Sequence, residues 1–93
     1  MVRCTETANR EIWKYPLEHG TEQHIRMPKG AEVLTVQIQN DHVCMWAEVS
    51  PDEPLEERRF HVIGTGHRMP ADAWHYLGTI QQGPFVWHIY EGE

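Results

Sequence analysis

The stretch EVLTVQIQNDHVCMWAEVS, Glu32 to Ser50, decides the fold. Two runs that alternate apolar and polar residues meet at Asn40 and Asp41, residue types that tolerate the left-handed backbone of a two-residue hairpin turn. Closing the chain there sets a register. Ile38 faces Val43, Val36 faces Met45 and Leu34 faces Ala47, all apolar and all on one side. Gln39 with His42, Gln37 with Cys44 and Thr35 with Trp46 fall on the other side. A slip of one residue would mix the two sets, so the pattern itself specifies the pairing.

The same alternation continues outward in both directions. In EIWKYPLE, Ile12, Lys14 and Pro16 oppose Trp13, Tyr15 and Leu17, which predicts a strand. Pro16 has no backbone donor, so that strand belongs at an edge, or Pro16 at its end. A short segment around His24 to Met27 is stopped by Pro28 and turned by Gly30. SPDEPLEE reads as a solvent-facing connection, after which RRFHVIG resumes alternation and ends at Gly64. MPADAWHY admits a single helical turn beginning at Pro70. YLGTIQQGPFVWHIYE predicts a second hairpin turning at Gln82, Gly83 and Pro84. Phe85, Trp87 and Ile89 point one way along its last strand, and Val86, His88 and Tyr90 the other. Large groups on both faces require that strand to lie centrally or to be covered twice, with a second copy of the chain as one candidate cover. The expected fold is therefore all-β: a small antiparallel sandwich or partly open barrel of about six or seven strands without a long helix. Residues 1–11 are expected to form a flexible tail and residues 12–93 one β domain.

Composition bounds the function. At 93 residues the chain has room for one core. Eight basic against 14 acidic side chains give a formal charge of -6, opposite in sign to what duplex nucleic acid attracts. The acids crowd into PDEPLEERR, Pro51 to Arg59, which suits a basic partner or simply keeps the surface solvated. Cys4 and Cys44 are the only cysteines and do not make a disulfide framework, so free thiols in a reducing, cytoplasmic setting are expected. No run approaches the ~20 apolar residues that span a bilayer, and the first residues lack a signal-peptide core.

Motifs that carry chemistry are few. Seven histidines raise the question of a metal, but no HxH or HExxH spacing occurs and no cysteine pair supports one. No metal site and no cofactor are expected, and a metal-dependent enzyme built on His61, His67 and His88 stands only as an alternative. Gly64, Thr65, Gly66, His67 and Arg68 are the candidate ligand-binding residues, because an arginine fork beside a glycine-rich turn suits phosphate. Neither GxGxxG nor GxxxxGK[ST] is present, and a tight turn at a strand end explains the glycines equally. Ser50 is the only serine and precedes a proline, and Cys44 lies mid-strand among apolar neighbours, so no nucleophile is evident. Trp46 leaves on the face opposite Val36 and Ile38, which makes it a second core layer or a contact surface.

IWKYPL, MPKGAEVLTVQIQND, MWAEV, FHVIGTGH, HYLGT and FVWHIYE together resemble a family of short proteins encoded by tailed bacteriophages and prophages. The resemblance runs from Ile12 to Glu91 and carries no assigned catalytic residues. It implies a small cytoplasmic product of an infected bacterium. The resulting expectation is a non-enzymatic binding protein that inhibits a host antiphage defence by docking on a host protein. Trp46, Asp52, Glu53, Glu56 and Glu57 are the candidate partner-binding residues. Sequestration of an anionic nucleotide signal is the first alternative, and a virion or assembly role another.

Overall fold

The computed structural model describes residues 9–20 and 22–93. Cys4 and residues 1–8 of the expected tail lie outside the described residues. The described chain forms seven strands and no helix: β1 (Glu11–Leu17), β2 (Glu22–Pro28), β3 (Glu32–Gln39), β4 (His42–Val49), β5 (Leu55–Gly64), β6 (Ala73–Gln82) and β7 (Phe85–Gly92). They make a sandwich of a three-stranded sheet, β1-β4-β3, and a four-stranded sheet, β2-β5-β7-β6, with every pairing antiparallel.

The β3–β4 hairpin closes through Asn40 (φ 51) and Asp41 (φ 64), both left-handed as a primed turn requires. Ile38 pairs with Val43, Val36 with Met45, Gln37 with Cys44, Gln39 with His42 and Thr35 with Trp46, the expected register. The expected Leu34–Ala47 pair does not form. A bulge between Val33 and Thr35 sets Val33 opposite Ala47 and ejects Leu34, which is 48% exposed. One extra residue in β3 thus swaps which neighbour enters the core.

Pro16 lies on β1, an edge strand, opposite Cys44. Leu17, Val43, Met45, Ala47, Val49 and Val36 of the smaller sheet meet Met27, Phe60, Val62, Ile80 and Ile89 of the larger in one buried core. Cys44 is a buried free thiol on the other face of β4. Arg58 crosses the margin of the core, where its fork donates to Glu91 (Nε to Oε2 2.7 Å, Nη2 to Oε1 2.9 Å) and its Nη1 to the Ala31 carbonyl (2.5 Å).

β7 is central, between β5 and β6, as its two-sided apolar character demands. Its hairpin turn is Gly83–Pro84, and Gln82 pairs with Phe85 as the last residue of β6. Two other expectations are corrected. Pro70 to Ala73 form a β-turn, with the Ala73 amide donating to the Pro70 carbonyl (3.2 Å), where a helical turn was expected. The polar connection after β4 is shorter than its composition suggests: β5 begins at Leu55, because Leu55, Glu56 and Glu57 pair with Pro28, Met27 and Arg26 of β2.

Candidate functional site

β5 and β6 each run antiparallel to β7, so they are parallel to one another with β7 between them. Parallel strands require a connection that returns along the sheet. Gly64 pairs with Trp87 and Ala73 with Gly92, so the segment Thr65–Asp72 must travel back along β7 from one register to the other. About eight residues reach up to roughly 26 Å when extended, against a strand rise of roughly 16 Å over that distance. The segment therefore lies as a strap over the outer face of the larger sheet.

Under the strap, His61 is 3% exposed although it sits on the sheet face away from the core. Its Nε2 is 3.2 Å from Asp72 Oδ1, but the alignment is not that of a hydrogen bond, and the nitrogen has no hydrogen-bond partner. Asp72 is fastened by Arg59 Nη1, which donates to its Oδ2 at 2.7 Å. That hydrogen bond holds the Asp72 carboxyl below the usual aspartate range, with His61 adding to the effect and desolvation opposing it. Arg59 Nε lies 3.1 Å from Glu22 Oε2, which in turn sits 2.8 Å from His24 Nε2. Hydrogen bonding to Glu22 raises the His24 pKa, and Glu57 reinforces it against desolvation. Gly92 leaves room for this cluster, since a Cβ there would stand 2.9 Å from Asp72 Oδ2 and 3.1 Å from His61 Nε2.

Between the strap and β5 lies a cavity of about 180 Å³ lined by Gly20, Glu22, His61, Ile63, His67 and Arg68, among others. The strap's own residues thus divide. Gly64, Thr65, Gly66 and His67 form a tight turn in which the His67 amide donates to the Gly64 carbonyl (3.0 Å), with Gly66 at φ 91 where other residues are strained. The Thr65 amide donates to the Val86 carbonyl (3.2 Å). These two amides are committed inside the protein, so the turn is not the converging backbone cradle that binds phosphate in glycine-rich loops. His67 and Arg68 instead line the cavity, and Arg68 makes no ion pair among the described residues.

Beside the strap, hydroxyl and imidazole groups form a chain across the sheet. Thr65 Oγ1 is 2.6 Å from His88 Nε2, His88 Nδ1 is 3.0 Å from Thr79 Oγ1, and Thr79 Oγ1 is 2.5 Å from the Tyr76 hydroxyl. Both His88 nitrogens thus lie within hydrogen-bond distance of hydroxyls. Among the described residues no group of three or more His, Cys, Asp or Glu converges as a metal site. His61 and His88 do share the outer face of neighbouring strands, yet they lie diagonally, paired with Tyr90 and Ile63.

The candidate partner-binding residues fall in two places. Asp52, Glu53 and Glu56 are exposed in the turn before β5 and at its start, where Leu55 is 50% exposed. Glu57 turns to His24 Nδ1 at 3.3 Å. Trp46 is half-buried on the outer face of the smaller sheet, between Lys14 and Thr35. The most exposed tryptophan is another one, Trp74 at 70%, which the bulge between Ala73 and His75 sets out of register on β6. Periodicity gave no sign of it because a bulge breaks the period. The Arg59–Asp72 tie was equally hidden, although the alternation of RRFHVIG already places Arg59 and His61 on one face.

Among the described residues no helix is long and apolar enough to cross a membrane. Residues 8–93 match the family described as Domain of unknown function (DUF7352). Comparison with curated proteins and with solved structures gives no match.

Proposed function

The chain belongs to the DUF7352 family, and we propose that it is a bacteriophage-encoded, non-enzymatic binding protein that docks on a basic surface of a host defence protein and blocks it. The observation that carries this reading is the acidic end of the sandwich. Asp52, Glu53 and Glu56 are exposed there and make no ion pair among the described residues, and Leu55 of the same segment is 50% exposed. Exposed acids draw in a positively charged partner and set its orientation, while a nearby exposed apolar side chain supplies a part of the contact that loses water. The overall charge of -6 acts in the same sense at longer range. The bacteriophage setting is supported by the likeness of IWKYPL, FHVIGTGH and FVWHIYE to short phage proteins.

The test is plating efficiency of a defence-sensitive phage on hosts that carry a defence system and express this protein. The wild-type chain is expected to restore plating, and the chain carrying Asp52→Asn, Glu53→Gln and Glu56→Gln to restore it less. Where a partner is captured, its association rate should fall on raising salt for the wild type and become nearly salt-independent for the triple variant. Restoration by neither chain across a panel of defences, or identical salt dependence, rejects the reading.

A further inference from the structure

We propose that the cavity beneath the Thr65–Asp72 strap binds one phosphate group, with Arg68 and His67 as its donors. This site is separate from the acidic end of the molecule and stands or falls independently of docking there. Four features point to it. The cavity is an open cleft between the strap and β5, with Ile63 and His61 on its wall and a volume of about 180 Å³. Pockets for whole drug-sized ligands start near ~300 Å³, so this one takes a single small group and not an entire nucleotide. Arg68 brings a guanidinium without an ion-pair partner among the described residues, in the planar fork that suits phosphate oxygens. His67, beside it on the strap, also lines the cavity, and its ring lies against Gly64, where a Cβ would stand 3.2 Å from Nδ1. His61, 3% exposed, has its Nε2 3.2 Å from Asp72 Oδ1 without an aligned hydrogen bond.

Glu22 also lines the cavity and would repel an anion, but its Oε2 lies 2.8 Å from His24 Nε2 and 3.1 Å from Arg59 Nε. Its charge is thereby met by cations on the sheet, whereas that of Arg68 is not. Arg68 is thereby the charge on the wall that no ion pair meets among the described residues. The phosphate has two sources that share this chemistry: free orthophosphate, or a phosphate ester whose remaining atoms stay outside the strap.

The experiment is calorimetric and NMR titration of the full chain with orthophosphate and, separately, with adenosine monophosphate. Saturable binding of at least one is expected, with the largest shifts at His67 and Arg68. Equal affinity assigns the site to free phosphate, and tighter binding of the nucleotide assigns it to a phosphate ester. Arg68→Ala is expected to weaken binding at least about tenfold, the loss of one charge-assisted pair. Because Arg68 is exposed, the variant should melt as the wild type does; His67→Ala provides a second test should it not. Glu22→Gln is expected to tighten binding. Absence of saturation with both ligands, or unchanged affinity in a folded Arg68→Ala or His67→Ala chain, overturns the proposal.

Discussion

Gly78 of β6 faces Val36 of β3 so closely that a Cβ on the glycine would sit 2.6 Å from Val36 Cγ2. The two sheets meet along this line, where β6 packs on β3 and one methyl group fills the space a side chain would need. Val36 is buried and short, so it cannot swing aside. Gly78→Ala is expected to destabilise the protein by about 1–3 kcal/mol, the usual cost of overpacking a filled core. Chemical denaturation of the variant measures this. Recovery in a Gly78→Ala, Val36→Ala double variant would show that the collision is the cause.

The hairpin turn gives a second expectation. Asp41 holds φ 64, and its carbonyl accepts a hydrogen bond from Gln82 Nε2 at 2.7 Å. Asp41→Val must force a β-branched residue into left-handed backbone and is expected to cost about 1–2 kcal/mol. Asp41→Gly keeps the carbonyl bond and relieves the backbone, so its melting temperature should equal or exceed that of the wild type. A valine variant as stable as the glycine variant would contradict the turn geometry.

Arg58 and Glu91 form the third case. Their paired contacts are mostly shielded from water, and the Ala31 carbonyl completes the guanidinium. Glu91→Ala leaves a charged fork without its carboxylate at the core margin, and about 2 kcal/mol of stability should be lost. Arg58→Met together with Glu91→Leu should recover much of it, since an apolar pair of similar size needs no compensation. Urea midpoints of the single and double variants distinguish the two outcomes.

Titration of the outer sheet face gives a pH signature. His24 is raised above its ordinary 6.5 chiefly by its hydrogen bond to Glu22, so its stabilisation is present below pH 6.5 and is lost as pH rises through the raised value. Asp72 is lowered from 3.8 chiefly by Arg59, so its contribution is present above pH 3.8 and disappears as pH falls through the lowered value. Glu22→Gln should move the His24 titration followed by NMR back toward its ordinary value. Arg59→Met should raise that of Asp72 in the same way. A His24 midpoint unaffected by Glu22→Gln would remove the assigned cause.

The hairpin was legible because its two faces differ: with one side packed on the core, a wrong register would bury Gln37 and expose Val36. Pro16 at an edge and β7 at the centre followed from equally local facts, a missing donor and a strand apolar on both faces. What escaped was whatever broke the period of two. The bulges at Leu34, Trp74 and Leu77 each insert a residue that alternation counts on the wrong side. The site was half legible. His67 and Arg68 carried a phosphate-binding chemistry in their side chains alone, but their meeting with His61 and Glu22 depends on the path of the strap, which no local pattern records. Likewise Glu56 and Glu57 look like loop residues by composition and are strand residues by pairing with β2.

β7 follows β5 and β6 in the chain yet lies between them. During synthesis, three of the four strands of the larger sheet are therefore made before β7, which must bond to β5 and β6. Until β7 arrives, β5 and β6 each expose an open backbone edge, a state prone to pairing with other chains. A ribosome stalled before Phe85 would release a protein missing the middle of a sheet and not its margin. Expression at a level that keeps such incomplete chains dilute should accordingly favour soluble product.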